Sequence, residues 1–268
     1  VDMTLEGGLG DVNPLEKNVP LITYDTTNQT ESEFKCSEKI TAVKADDCYS
    51  FWVITHFVDK FYAFKVDQNG VDTTPVVSTV GPVVPAEGYR RNALGYLKAS
   101  PDGTKLVVAH HGFATVLQGE SGGGVYLFDF DNDTGVVSNA LTLFGQENND
   151  SPYGVEFSAE NRKVYATISD GIDGDGPSHV LQWDLESLDI PASMTVIHSS
   201  NAFSAGALQL GLDKRIYRAQ FDFVNFNTTG RHLGVIQNPE ADGTAANYDE
   251  TGVLLDINNN LQNLSRIG

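Results

Sequence analysis

The sequence predicts an all-β fold, a β-propeller of four-stranded blades. The first observation is a repeat, in which an apolar strand, a polar turn and a second apolar strand recur at residues 40–57, 94–111, 153–169 and 206–220. Equivalent positions in these segments, Phe51, Lys105, Lys163 and Arg215, are 54, 58 and 52 residues apart. The second observation is that no stretch carries a sustained 3.6-residue apolar period with caps. A period of about fifty residues with several short strands is typical of propeller blades.

Each repeat contains turn chemistry and a further pair of strands. Pro101-Asp102-Gly103 combines a proline that presets φ with a glycine that accepts a positive φ, which favours a hairpin. The flanking stretches are rich in Val, Ile, Tyr and Trp, as strands are. The further strand pairs are expected at residues 61–66 with 74–80, 125–130 with 136–144, and 180–185 with 193–198.

The ends of the chain extend this pattern. Residues 1–24 are interpreted as the outer half of an earlier blade, and residues 252–268 as the start of another. The prediction is a single propeller domain over residues 1–268 that covers about five blades. We expect it to be truncated at both ends and to belong to a ring of six to eight blades.

Composition excludes several classes of protein. The 17 basic and 36 acidic residues give a net charge of −19 and a pI near 4.4, which argues against a nucleic-acid partner. The 40% hydrophobic content is too high for a wholly disordered chain. No apolar run approaches the roughly 18–20 residues that a transmembrane helix requires.

The sequence contains two cysteines, Cys36 and Cys48. Two thiols are too few for a zinc site, and their spacing differs from that of a C-x-x-C redox pair. We predict a disulfide formed in an oxidising compartment. The alternative is two separately buried thiols.

The blade sequences resemble a known family. The segments CSEKITAVKADDCYSFWVITH, YLKASPDGTKLVVAHH, VYLFDFDNDTGVVSNALTL, YGVEFSAENRKVYATISD and GALQLGLDKRIYRA are similar to the propeller region of large secreted Bacteroidota surface proteins. Such proteins often carry PKD-like modules and end in a type IX secretion or gliding-motility sorting domain. The resemblance implies a secreted protein of the outer cell surface with a protein or glycan partner. It also implies contact with the secretion machinery through a sorting domain outside this chain.

The same resemblance points to O-glycosylation. In Bacteroidota the acceptor is a Ser or Thr after Asp, and Asp25-Thr26-Thr27 and Asp72-Thr73-Thr74 match that pattern. Thr26 and Thr73 are therefore candidate glycan carriers. The alternative is two ordinary polar turns. The family has no assigned catalytic residues, so none is transferred to this chain.

Loops between the second and third strands of propeller blades cluster on one face, and here they span residues 57–60, 110–124, 170–179 and 220–231. We predict the ligand-binding face there, with His56, His110 and His111 at strand ends and Arg90 and Arg91 in a nearby loop. The imidazoles could ligate a transition metal or donate to backbone carbonyls. The arginines could grip a carboxylate or sulfate, or pair with local acids.

The 170–179 loop is the candidate calcium site. Asp170, Asp173 and Asp175 place three carboxylates in a glycine-rich segment, and Ca²⁺ prefers oxygen ligands on a flexible backbone. The alternative is a solvated acidic loop. This interpretation requires no cofactor, and a structural calcium ion at this loop is the candidate.

The sequence therefore favours a non-enzymatic binding or scaffold module that acts in adhesion or assembly at the cell surface. One alternative is a propeller hydrolase or lactonase with a divalent cation in the central channel. Another is a subunit docked in an outer-membrane complex that completes the ring.

Overall fold

The computed structural model describes residues 2–15, 17–87, 90–115, 119, 121–221 and 231–255. Within them, four separate antiparallel sheets follow one another along the chain, and strand is the dominant secondary structure. Consecutive strands pair in chain order in three of these sheets, whereas in the first, which has five strands, the third strand pairs with both the fourth and the fifth. Every repeat thus forms its own blade. The predicted all-β propeller fold with four-stranded blades is confirmed.

The blades correspond to the four sequence repeats. Blade one contains β1 (Ile40–Lys44), β2 (Phe51–Phe57), β3 (Lys60–Asp67), β4 (Gly70–Val71) and β5 (Val76–Thr79). Blade two contains β6 (Leu97–Ala99), β7 (Lys105–Gly112), β8 (Gly122–Asp131) and β9 (Val136–Phe144). Blade three contains β10 (Ser151–Phe157), β11 (Lys163–Ser169), β12 (Ser178–Asp184) and β13 (Thr195–Ser200). Blade four contains β14 (Leu208–Leu210), β15 (Ile216–Arg218), β16 (His232–Ile236) and β17 (Tyr248–Leu254).

Within the described ranges, helical structure consists of short segments before and between these strands. The α-helix α1 (Gln29–Phe34) precedes blade one, and single 3₁₀ turns occur at Glu6–Gly8, Arg90–Ala93, Gln146–Asn148, Pro191–Ser193 and Gly243–Ala246. α1 begins at Asn28, whose side chain accepts hydrogen bonds from the amides of Thr30 and Glu31. None of the helices in the described part of the chain is long and apolar enough to cross a membrane.

Neighbouring blades are joined by apolar cores. Ile54 and Phe61 of blade one pack against Leu106 and Phe128 of blade two, and Phe157 of blade three packs against the other face of blade two. A third, smaller core joins blades three and four. Each sheet therefore buries its faces only by stacking on its neighbours, as the repeat predicts.

Residues 1–24 differ from the prediction of an outer half-blade. Their described part contains a 3₁₀ turn and one isolated bridge between Asp2 and Asp11, and no strand. Gly7, Gly8 and Gly10 all have positive φ, which interrupts extended backbone. The exposed side chain of Leu9 also finds no sheet to pack on.

The other end of the chain also differs. Gly252 does not start a new blade, because it lies within β17, the fourth strand of blade four, which pairs with β16. The rest of that predicted segment, residues 256–268, lies outside the described residues. The described residues thus form four blades, where the sequence predicts about five.

The predicted disulfide is absent, since Cys36 and Cys48 are both exposed free thiols. They lie at opposite ends of β1: Cys36 precedes the strand and Cys48 lies in the turn that follows it. The five residues of β1 rise about 3.3 Å each, which separates the cysteines by roughly 15 Å. A disulfide requires Cα atoms within about 7 Å of each other.

Candidate functional site

Two cavities open at the same end of the blades. The larger, here called the main cavity, has a volume of about 440 Å³ and lies where the inner strands of blades two, three and four begin. The smaller, the side cavity, has a volume of about 280 Å³ and lies beside the end of β2. Arg90 lines both cavities, so the 3₁₀ turn at Arg90–Ala93 forms the wall between them.

His111 is the candidate base of the main cavity. Its Nδ1 lies 3.1 Å from the carbonyl oxygen of Pro152, and because a carbonyl only accepts, Nδ1 carries the hydrogen. The neutral ring therefore keeps its lone pair on Nε2, which lies on the side of the ring that faces Gly174. The pKa of His111 is lowered to about 4. Burial is the main cause; the hydrogen bond to Pro152 opposes it, and the charge of Arg91 adds to it. At neutral pH the imidazole is therefore an uncharged acceptor.

Arg91 ties the wall of the main cavity to blade three. Its guanidinium lies 2.6 Å from a carboxylate oxygen of Asp173 and also donates to the carbonyl oxygen of Ile172. Arg91 and His111 line the same cavity, so a cation and a neutral base face the same volume. Arg90, in contrast, is exposed at the rim.

Two hydroxyl groups complete the polar lining. Burial, together with the Glu38 carboxylate, raises the pKa of Tyr153 well above its usual range, so its phenol stays protonated and can donate. Ser169 is buried, and its hydroxyl accepts a hydrogen bond of 2.7 Å from the amide of Ala205. Ser169 is therefore held in the wall as a structural group.

Blade four forms one wall of the main cavity, and Arg218 is buried next to Ala219 of that wall. It is fully buried, and its guanidinium donates to the Ser178 hydroxyl (2.5 Å), the Ser204 carbonyl (3.0 Å) and the Tyr248 hydroxyl (3.4 Å). All three partners are neutral. The guanidinium therefore links β12, the segment before blade four and β17 through hydrogen bonds.

The side cavity is mainly apolar, with Phe34, Phe57, Val58, Val84 and Pro85 in its walls. Of the two basic residues in its lining, Arg90 lies at the rim and Lys39 is fully buried. Lys39 donates to the backbone carbonyls of Asn92 (3.1 Å), Ala93 (3.2 Å) and Leu94 (2.8 Å). Burial lowers the pKa of Lys39 to about 7, opposed by the nearby Glu38 carboxylate. These three bonds hold the wall between the two cavities in place.

The histidines predicted at the binding face separate in the structure. His111 lines the main cavity and His56 lines the side cavity, whereas His110 lies fully buried between blades one and two. His110 and His111 point in opposite directions because successive side chains of a strand alternate between faces. The ring centroids of His110 and His56 are 4.8 Å apart.

The predicted calcium ligands are engaged with other groups. Asp170 accepts a hydrogen bond of 2.9 Å from His179, and Asp173 pairs with Arg91, while Asp175 is exposed. Across the described residues, no group of three carboxylate, imidazole or thiol side chains could hold a metal ion. Calcium binding therefore stays a prediction, and no cluster of ligands among the described residues supports it.

The other predicted features are placed as follows. Thr26 and Thr73 lie exposed in turns. Of the loops predicted on the binding face, residues 116–118, 120 and 222–230 lie outside the described residues.

Sequence reasoning did not single out Ser169, Tyr153, Lys39 or Arg218. The repeat contained a signal for the first of these. Counting six residues onward from the four equivalent repeat positions gives Phe57, His111, Ser169 and Phe221, and each of these lines one of the two cavities. The other three residues have no comparable signal, because their roles depend on burial.

No family model and no curated protein matches the sequence. Solved structures do match it. They include an α-L-arabinanase of Penicillium chrysogenum bound to arabinobiose, with 12% identity, a TM-score of 0.48, and coverage of 86% of this chain and 70% of that one. They also include a proposed 6-phosphogluconolactonase of Bacteroides uniformis, with 13% identity and a TM-score of 0.45. That alignment covers 81% of this chain but 55% of the other, so this chain spans little more than half its length.

The comparisons contradict the prediction of a non-enzymatic binding module, which is wrong. The other matching structures named for an activity are a puromycin hydrolase, a puromycin-hydrolysing peptidase of Mycobacterium tuberculosis and an oligogalacturonate lyase. Because every identity is below 25%, the likeness concerns the fold, and the activity is argued below from this chain's own side chains.

Proposed function

We propose that this chain is a propeller hydrolase that cleaves an ester or lactone in the main cavity. The observation that carries the proposal is the fixed tautomer of His111, whose Nδ1 is bound to the Pro152 carbonyl and whose Nε2 keeps its lone pair. A buried, uncharged imidazole beside a guanidinium combines a proton acceptor with a group that stabilises negative charge.

The reaction follows from these groups. Nε2 of His111 removes a proton from a water molecule as that water attacks the carbonyl carbon of the substrate. The carbonyl oxygen gains negative charge, which Arg91 and the protonated Tyr153 hydroxyl can stabilise. The tetrahedral intermediate then breaks its bond to the leaving alkoxide, which takes the proton from His111, and the imidazole returns to its neutral form. Water is the nucleophile because the Ser169 hydroxyl is buried in the wall and occupied by the amide of Ala205.

The test is hydrolysis of p-nitrophenyl acetate and δ-valerolactone by the wild type and by His111→Gln. General-base catalysis contributes about 10²–10⁴-fold, so kcat/KM should fall by that factor. The matched control is His232→Gln in β16, outside both cavities, which should keep the wild-type rate. Equal activity of the wild type and His111→Gln would overturn the assignment, as would the absence of any hydrolysis.

The pH profile is a second readout. Because His111 is active when uncharged and burial lowers its pKa to about 4, kcat/KM should stay level from about pH 8 to pH 5 and fall below that. A midpoint near the ordinary histidine value of about 6.5 would mean that the base is exposed and is not His111.

We also propose that the enzyme acts outside the cell, at the outer surface. This proposal rests on the resemblance to secreted Bacteroidota proteins, which also supplies Thr26 and Thr73 as glycan carriers. Mass spectrometry of the protein from its native host tests both points, because a hexose-bearing peptide containing either threonine would support export and glycosylation together. An unmodified protein recovered from the cytoplasm would contradict them.

A further inference from the structure

We infer that the substrate carries an apolar acyl arm, which the side cavity holds while the scissile carbonyl lies in the main cavity. This inference rests on the proposed hydrolase function and adds the class of substrate. Its starting point is the shared wall: Arg90 lines both cavities, and the turn at Arg90–Ala93 separates them. One ligand that passes Arg90 can therefore occupy both cavities.

The chemistry of the side cavity favours hydrocarbon. Aromatic and aliphatic side chains from α1, from the end of β2 and from the loop at 84–86 form its walls, with Phe34, Phe57 and Val84 among them. The polar side chains at its inner end already have partners within the protein. Lys39 donates to three backbone carbonyls, and the amide of Asn92 donates to the carbonyls of Pro85 (2.9 Å) and Ala114 (2.7 Å).

His56 is the exception, and it also favours an apolar occupant. Its Nε2 is buried without a hydrogen-bond partner, but it is shielded from the cavity surface and packs beside His110 and Phe61. Burial and the charge of Lys39 lower the pKa of His56 to about 3, so the ring is neutral. Apart from Arg90 at the rim, the side cavity therefore presents to a ligand only apolar groups and polar groups that are shielded or already hydrogen-bonded, and an apolar group would lose least by entering it.

The size of the side cavity sets the length of the arm. A volume of about 280 Å³ equals about nine water molecules at roughly 30 Å³ each, which is room for a short acyl chain. The main cavity, at about 440 Å³, is larger and has the opposite character, with Arg91, His111 and Tyr153 in its walls. The pair of cavities thus matches a molecule with one polar, hydrolysable end and one hydrocarbon end.

The test is a series of p-nitrophenyl esters from acetate to octanoate. Each methylene that enters the side cavity should raise kcat/KM by about fourfold, and the rise should stop once the cavity is full. Ala86→Phe places a ring in the side cavity and should reduce the octanoate-to-acetate ratio of kcat/KM by at least tenfold. Val84→Ala enlarges the cavity and should move the plateau to a longer chain. The matched control, Ala140→Phe at an exposed position of β9, should keep the wild-type ratio.

The outcomes separate the two proposals. Hydrolysis that depends on His111 but shows the same kcat/KM for every chain length would overturn the acyl-arm inference and leave the hydrolase standing. A chain-length profile that Ala86→Phe and Val84→Ala both leave unchanged would overturn it as well. If no ester in the series is hydrolysed, the proposed function itself fails.

Discussion

Replacement of His110 by phenylalanine should remove a source of acid sensitivity from the core. His110 is fully buried, and neither ring nitrogen has a hydrogen-bond partner. Its ring lies among aromatic neighbours, with centroids 4.8 Å from His56, 5.5 Å from Phe113 and 5.6 Å from Tyr126. Burial holds the pKa of His110 well below its usual range, and the neighbouring His56 and Lys39 side chains act in the same direction. The folded protein therefore keeps this imidazole neutral.

The magnitude follows from linkage. Because the pKa of His110 is lower in the folded than in the unfolded state, the stabilisation is complete above about pH 6.5 and is lost as the pH falls from there. Because the folded-state pKa lies well below the usual range, the unfolded-state value of about 6.5 sets the pH at which this loss begins. Between pH 7 and pH 5 the unfolded chain then gains almost one proton at this site, which lowers the free energy of unfolding by about 2 kcal/mol. His110→Phe abolishes that loss.

The assay is urea unfolding of the wild type and His110→Phe at pH 7 and pH 5. The stability of the variant relative to the wild type should increase by about 2 kcal/mol at the lower pH, whatever the packing change contributes at both. Phe113→Leu is the control, because it alters packing in the same cluster and removes no titratable group. A difference between His110→Phe and the wild type that is equal at the two pH values would refute the reasoning.

Three further predictions concern other parts of the chain. Both cysteines should react with a thiol reagent in the native protein, since Cys36 and Cys48 are exposed and form no disulfide. If only one thiol or none reacted, that would contradict this exposed, free state. Asp173→Ala should lower kcat/KM for ester hydrolysis by about tenfold or more, because it removes the 2.6 Å ion pair of Arg91. An unchanged rate would show that this pair does not position Arg91. Gly95→Ala should lower the free energy of unfolding, measured in a denaturant titration, by at least about 1–3 kcal/mol. A Cβ at this position would lie 2.0 Å from the Ala109 carbonyl oxygen, and the backbone φ is +121°. Unchanged stability would contradict that close approach.

The blades were predictable because their information is local. The strand–turn–strand pattern that predicts residues 94–111 depends on neighbouring residues, and the side chain of Asp102 closes that turn on Thr104 in the structure. The first 24 residues show the limit of such reasoning. Apolar residues there resemble a strand, but a strand needs a neighbour to pair with, and the glycines at 7, 8 and 10 leave the extended region.

The site was predictable in part. Histidines and arginines at strand ends and in a loop between blades were predicted to share one face, and Arg90, Arg91, His56 and His111 line the two cavities. That this face binds a ligand stays a prediction. The fate of each side chain depended on pairing register and burial. Strand alternation sends His110 into the core and His111 into the cavity, although the two are adjacent in the sequence.

The sequence by itself determined the repeat, the strands, the acidic surface charge and the face on which polar residues gather, because these depend on composition and short-range pattern. The tertiary structure decided what those residues do. Stacking of the blades buried Arg218 and Lys39, fixed the tautomer of His111 through Pro152, and drew Arg91 to Asp173 of another blade. Each of these effects joins residues far apart in the chain, and the interactions that set them exist only once the sheets have packed.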